Sequence, residues 1–414
     1  MSCISDDTSS RPLVIVLHAS VGSGHRSAAQ AVAQAFEDAR GVHPALPADT
    51  EVAVLDVLDY GYIRFYGDKS VRVTVAFNRL YDFTWHHVFT GRILWGGGSI
   101  WSYAMFARFT RLVEARRPLA IVATHIVAAN VAVAARIATG QTFPVACVPT
   151  DYGAEGLWPH LGADLFCAAD ETMVQELVPR KVPRENIVVT GIPVRKGFVE
   201  SYDRDEVLRR FGLPHDKLVV MVMAGARVAQ PYMPFRAIFD EAVPLLSDFS
   251  RMHFVILAGS DEEYAEQIRH VLSERSIENA TVFDYVDDIP ALMNASDLIV
   301  AKSGGLATTE CLCAQLPLIL VGHPYGQEYA NTVTVVKAGA AVCAKTSDEL
   351  IAELERIHAD PDCLHEMVMG GKTLRRPRAA QDIVSATMNL SGHLGSPRKY
   401  FFKMYWGHKP YRVR

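Results

Sequence analysis

Short runs of Val, Ile, Leu and Ala, without polar residues at alternate positions, recur along this chain, and segments with helical spacing separate them. In the first half the runs are Leu13–His18, Val52–Leu55, Ala120–Thr124, Val145–Val148, Leu165–Ala168 and Ile187–Thr190. A second series follows at Leu218–Met223, Phe254–Ala258, Thr281–Phe283, Leu298–Ala301, Leu318–Val321 and Ala341–Cys343. Apolar runs of this kind fit strands of a parallel sheet covered on both faces. Their alternation with helices predicts an α/β chain with doubly wound sheets. Between the series, Arg195–Pro214 is polar and charged and reads as a linker. Two Rossmann-like domains facing each other across a cleft are therefore expected, over residues 1–197 and 198–390, with a tail at 391–414. After Pro377 a last helical pattern runs to about Leu390, inside the second of these domains. The aromatic stretch Tyr60–Phe109, interrupted by Gly96-Gly97-Gly98, breaks the rhythm, and no tandem repeat is present.

Length and composition narrow the class. With 414 residues, half of them hydrophobic, the chain has material for two packed cores. A net charge of −5 carries no global nucleic-acid footprint. The seven cysteines form no CxxC pair and no zinc spacing with His, which fits a reducing, cytoplasmic setting. The first eleven residues lack the apolar core of a signal peptide, and no apolar run reaches membrane-span length. Any membrane contact is therefore expected to be peripheral, on the cytoplasmic face.

Candidate chemistry lies at two glycine turns, each at the C-terminal end of a strand, where open α/β sheets place ligands. The first strand runs into Ala19-Ser20-Val21-Gly22-Ser23-Gly24-His25-Arg26 and then a helix. This is neither a dinucleotide fingerprint nor a P-loop. His25 opens the helix, whose positive end lowers an imidazole's pKa and keeps it able to accept a proton, as a general base requires. A histidine that only caps the loop would look the same. The second turn is Lys302-Ser303-Gly304-Gly305, followed by a helix carrying Glu310, a further strand, and Gly326-Gln327-Glu328 opening another helix. Free N–H groups and a positive helix end suit a diphosphate. Glu310 is spaced to accept from ribose hydroxyls, and Gln327 and Glu328 from a sugar. Either turn alone reads as an ordinary crossover; the ordered set favours a nucleotide-sugar site.

The loop GSGHRSAA, Thr150-Asp151-Tyr152, the run Val189-Thr190-Gly191-Ile192-Pro193-Val194-Arg195 and the stretch Asp284–Asn331 occur here in one order. In that order they resemble the monogalactosyldiacylglycerol synthases of plastids and the bacterial processive diacylglycerol glucosyltransferases. More distantly the chain is similar to the N-acetylglucosaminyltransferase of the peptidoglycan lipid pathway. The resemblance covers roughly residues 12–345. It implies a GT-B fold with an N-terminal acceptor domain and a C-terminal donor domain. It also implies inverting transfer from UDP-galactose or UDP-glucose to diacylglycerol, the UDP-sugar being a co-substrate. No cofactor is required, and a divalent cation enters at most as a stimulant. By the same resemblance His25 is the base. Gly24 is a donor-binding candidate, Arg195, Ser303, Gly304 and Gly305 face the phosphates, Glu310 takes the ribose, and Gln327, Glu328 and Asn331 take the sugar. The backbone at Tyr285 and Val286 takes the uracil. The family's Gly-rich run after the first strand of the second domain is here Met223-Ala224-Gly225-Ala226-Arg227, so Gly225 and Arg227 are the donor contacts expected there. Asp151 either orients His25 across the cleft or caps a turn. No Asp-x-Asp metal motif stands out; Asp287-Asp288 reads as a helix start.

A diacylglycerol acceptor stays in the bilayer, so the chain must reach it. Tyr60–Trp101 interleaves aromatic and basic residues, as does the tail from Arg398 to Arg414. Such segments suit a headgroup interface and anionic lipids. Trp85, Trp95, Trp101, Trp158 and Trp406 are the candidate acceptor or membrane contacts. Core packing of the first segment, or return of the tail onto the first domain, would account for the same pattern. Two further readings stay open: transfer to another lipid-linked acceptor, and a catalytically silent UDP-sugar binder.

Overall fold

The computed structural model describes residues 11–20, 22–61, 105–154, 158, 162–224, 233–324 and 326–390. Expectations for Gly225, Arg227, Trp85, Trp95, Trp101 and Trp406 lie outside these residues. The described residues up to Arg195, joined by those from Arg376 onward, form one compact unit, and Lys196–Arg375 form another. Each unit holds a six-stranded, all-parallel sheet with helices between its strands. These are two Rossmann-like domains.

In the first unit the strands are β1 (Leu13–His18), β2 (Glu51–Asp56), β3 (Ala120–Ala123), β4 (Val145–Cys147), β5 (Leu165–Ala168) and β6 (Ile187–Val189). Their helices are α1 (Ser23–Ala39), α2 (Ala107–Arg116), α3 (Ile126–Thr139) and α4 (Glu171–Leu177). The sheet order is β2-β1-β3-β4-β5-β6, so the chain reverses its direction of winding between β1 and β3. That topological switch point leaves a crevice beyond the strands' carboxyl ends. β1, β3, β4 and β5 are buried at every position, whereas the edge strand β2 is only partly covered. The apolar runs were unalternating because both faces of the central strands are covered.

The second unit opens with α5 (Arg204–Phe211) and continues through β7 (Leu218–Met223), α6 (Met233–Ala242), β8 (Met252–Leu257), α7 (Glu262–Glu274) and β9 (Ala280–Phe283). Then come α8 (Ile289–Ala295), β10 (Leu298–Ala301), α9 (Gly305–Cys313), β11 (Leu318–Val321), α10 (Gln327–Lys337), β12 (Ala341–Ala344), α11 (Ser347–Ala359) and α12 (Cys363–Gly371). Its order, β12-β11-β10-β7-β8-β9, places the switch point between β7 and β10. The turn after β10 is Lys302–Gly305.

Two boundaries differ from expectation. The division falls between Arg195 and Lys196, and the segment read as a linker already folds into the second unit through α5, which Asp203 caps. Asp297 also grips Arg204 with both carboxylate oxygens, at 3.0 and 2.8 Å. The last helix, α13 (Ala379–Asn389), belongs to the first unit. Its stripe Ala380, Ile383, Val384 and Met388 joins Val32 and Phe36 of α1 in one buried cluster. Gly191 admits this returning segment. Its φ is 85°, and a Cβ there would overlap the Arg376 side chain.

Candidate functional site

The first site forms at the switch point between β1 and β3. Gly22, at φ 101°, turns the chain from β1 into α1, whose first turn has no side-chain cap and no acidic residue. His25 sits in that turn. Its backbone carbonyl accepts from Thr124 Oγ1 at 2.9 Å, and its ring Nδ1 lies 3.0 Å from the Thr124 carbonyl. Thr124 is fully buried directly after β3, so this reciprocal pair pins α1 to the sheet end. The hydroxyl of Thr150, buried in the loop after β4, lies 2.9 Å from the same Nδ1. A carbonyl oxygen can only accept, so Nδ1 carries the proton and Nε2 keeps its lone pair. This tautomer is assigned from the bonding network. Among the described residues no hydrogen bond engages Nε2.

His125 stands edge-on to His25, with ring centroids 4.5 Å apart and an interplanar angle of 83°. Its Nδ1 accepts from Val127 N at 3.1 Å and so caps α3. His18, buried at the end of β1, completes a trio. All three imidazoles titrate below the usual histidine value, with burial the leading cause. For His25 the Asp151 carboxylate and the Thr124 carbonyl partly offset that burial. The low pKa expected from the helix end therefore has desolvation as its main cause. Asp151 influences His25 from within the same unit, in the loop after β4, and not from the opposite domain. Trp158, expected at the acceptor face, is instead a core residue. It is 4% exposed and packs edge-on against Phe166 of β5.

The second site forms at the ends of β10 and β11. α9 starts at Gly305 behind Gly304, again without a side-chain cap or an acid in the first turn. α3, α4, α5, α7, α8 and α11 are capped by His125, Asp170, Asp203, Asp261, Asp288 and Thr346. Gly304 has an ordinary φ of −68°, and a Cβ there would meet only the Lys302 side chain at 3.8 Å. Neither backbone strain nor protein packing among the described residues demands glycine at 304. Ser303 is buried within the turn, and Glu310 follows on α9, also buried.

α10 begins at Gly326, whose φ of 55° and ψ of −120° suit only glycine. Gln327 and Glu328 stand half-buried in its first turn. Two contacts join α10 to the turn before α9. Lys302 Nζ meets Glu328 Oε1 at 2.9 Å, and Asn331, fully buried, donates from Nδ2 to the Ser303 carbonyl at 2.9 Å. Asn331, expected among the sugar contacts, thus also ties α10 to the turn before α9. Tyr285 and Val286 lie in the loop between β9 and α8, with Tyr285 well exposed. The structure thus brings Ser303, Gly304, Gly305, Glu310, Gln327, Glu328 and Asn331 into one unit, and His25, Asp151, Gly24 and Arg195 into the other. Among the described residues no cluster of His, Cys, Asp or Glu could hold a metal ion.

Sequence reasoning missed Thr124, Thr150, His125, His18 and Lys302. Thr150 and Lys302 lie inside the motifs, where Asp151 and the glycines carry the stronger chemical signal. Strand ends carry few local signals, so Thr124 and His18 offered none.

Comparison with known proteins agrees with this division. Residues 25–194 match the family described as monogalactosyldiacylglycerol (MGDG) synthase, and residues 219–383 match the glycosyltransferase family 28 C-terminal domain. A processive diacylglycerol beta-glucosyltransferase of Bacillus cereus (strain AH187) is 26% identical over 91% of this chain and 93% of its own length. The Bacillus mycoides enzyme of the same name is likewise 26% identical, with the same coverage. The chain thus carries a segment of the monogalactosyldiacylglycerol synthase type and a glycosyltransferase family 28 C-terminal domain, and over most of its length it is similar to processive diacylglycerol beta-glucosyltransferases. The fold recurs in solved structures. The S. aureus MnaA–UDP co-structure is 15% identical with a TM-score of 0.61, covering 97% of this chain and all of its own (100%). MurG of Acinetobacter baumannii is 16% identical with a TM-score of 0.56, covering 90% of this chain and 98% of its own. These likenesses speak for the GT-B fold alone. No helix among the described residues is long and apolar enough to cross a membrane.

Proposed function

We propose that this glycosyltransferase moves a hexose from UDP-glucose or UDP-galactose to the free hydroxyl of diacylglycerol, with inversion at the anomeric carbon. The observation that carries the reading is the His25 ring. Its Nδ1–H is tied to the Thr124 carbonyl at 3.0 Å, which leaves Nε2 basic at a switch point, and burial keeps the imidazole neutral at physiological pH. The acceptor oxygen attacks C1 of the sugar, and its proton passes to Nε2. The bond between C1 and the β-phosphate oxygen breaks, and UDP departs with the electron pair. The uncapped N-terminus of α9 and the Arg195 guanidinium are the groups assigned to the leaving diphosphate, and no resident metal is called on. Glu310 takes the ribose, Gln327 and Glu328 the hexose. Attack opposite an α-linked diphosphate gives a β-glycoside. The acceptor is reached at the surface of an anionic bilayer, on its cytoplasmic face.

Purified protein is incubated with radiolabelled UDP-glucose or UDP-galactose and vesicles of diacylglycerol in anionic phospholipid. A labelled lipid with a β-linkage is expected from one of the two donors. Labelled free sugar or an epimerised nucleotide, formed equally well without vesicles, would refute the reading.

A further inference from the structure

We infer that Thr150 is a positioning residue for His25. Together with the buried Thr124 carbonyl, its hydroxyl receives the Nδ1 proton and holds the ring in the form whose Nε2 is free to take a proton. The inference deepens the base role proposed above and rests on it. Its ground is geometric. Two oxygens from the ends of two adjacent strands, β3 and β4, lie 3.0 and 2.9 Å from one nitrogen, and both threonines are buried. No carboxylate is hydrogen-bonded to that nitrogen among the described residues, so the place often taken by an aspartate is filled by a carbonyl and a hydroxyl. The hydroxyl is well suited to this. It accepts from the neutral ring and accepts more strongly once the ring is charged, and it rotates to do so. Burial lowers the basicity of the ring. Thr150 offsets part of that loss without adding a charge to the site.

The charged and titratable groups around the ring are Asp151 on the β4 loop, His125 at the start of α3 and His18 at the end of β1. Arg26 and Asp56 lie beyond, next to His18. None of them is altered by the change Thr150→Val, which keeps the shape and removes the hydroxyl. Loss of an acceptor that favours the cation lowers the pH at which His25 protonates, by roughly half to one unit.

The test uses the full chain with 15N-labelled histidine, His25 being assigned from a His25→Gln sample, and the kcat/KM profile against pH with UDP-sugar and diacylglycerol vesicles. The wild-type ring is expected to carry its proton on Nδ1. In Thr150→Val the ring titration and the acidic limb of the profile move down together, KM for the UDP-sugar stays unchanged, and Thr150→Ser restores both. A proton on Nε2 in the wild type, or a ring titration unmoved in a folded Thr150→Val, would overturn the inference. If the rings behave as expected while His25→Gln retains turnover, the positioning contact stands and the base reading fails.

Discussion

Asn331→Ala removes a hydrogen bond by which a fully buried side chain joins α10 to the turn before α9. The substitution leaves the carbonyl of buried Ser303 without its amide partner. An unpaired buried polar group costs about 1–3 kcal/mol, before any cavity left by the lost amide is counted. For a unit of this size that corresponds to a fall of roughly 3–8 °C in melting temperature. The effect on binding is separate. UDP at about a hundred times its dissociation constant should stabilise the wild type by about 2.7 kcal/mol. If the clamp shapes the turn that receives the diphosphate, the variant binds UDP about tenfold more weakly, and the stabilisation at the same UDP concentration falls by about 1.4 kcal/mol. Differential scanning calorimetry with and without UDP, beside a direct titration, reads both quantities. An unchanged melting temperature would refute the packing argument. A lowered melting temperature with unchanged UDP affinity would refute the claim that the clamp serves the ligand.

Lys302→Ala frees the Glu328 carboxylate from its 2.9 Å ion pair, and KM for the UDP-sugar should rise about tenfold, with far less change in acceptor KM; equal changes in both would exclude a donor-side role. Asp151→Asn removes the negative charge that raises the His25 pKa. A base works when unprotonated, so the acidic limb of kcat/KM should move to lower pH, and a shift upward would contradict the assignment. Gly191→Ala places a Cβ into the Arg376 side chain at a positive φ, and should cost about 1–3 kcal/mol in thermal unfolding; a neutral result would show that the returning segment accommodates it.

The twelve strands among the described residues were legible in the sequence because central parallel strands are apolar on both faces. The partner of a helix's apolar stripe is not legible. Ala380, Ile383, Val384 and Met388 announce a buried helix face, but nothing local says that the face seeks Val32 and Phe36, so α13 was expected in the wrong domain. The glycine turns and the acids after them were readable for a related reason. Among the described helices that start without a side-chain cap, three, at Ser23, Gly305 and Gln327, follow strands, each behind a glycine. The hydrogen bonds that make those turns work were hidden, because they join residues far apart in the chain: His25 to Thr124 and Thr150, and Asn331 to Ser303. Trp158 misled for the opposite reason. A tryptophan in a loop beside a candidate site looks like a contact, yet the ring fills the core against Phe166.

Transfer of label from UDP-glucose or UDP-galactose to diacylglycerol in anionic vesicles, by the wild type and by His25→Ala at equal folded concentration, addresses the central claim most directly. A β-linked glycolipid whose rate of formation falls by about 10²–10⁴ in the variant, with UDP binding retained, is the result expected of a general base. A variant that forms the glycolipid at the wild-type rate would contradict the account.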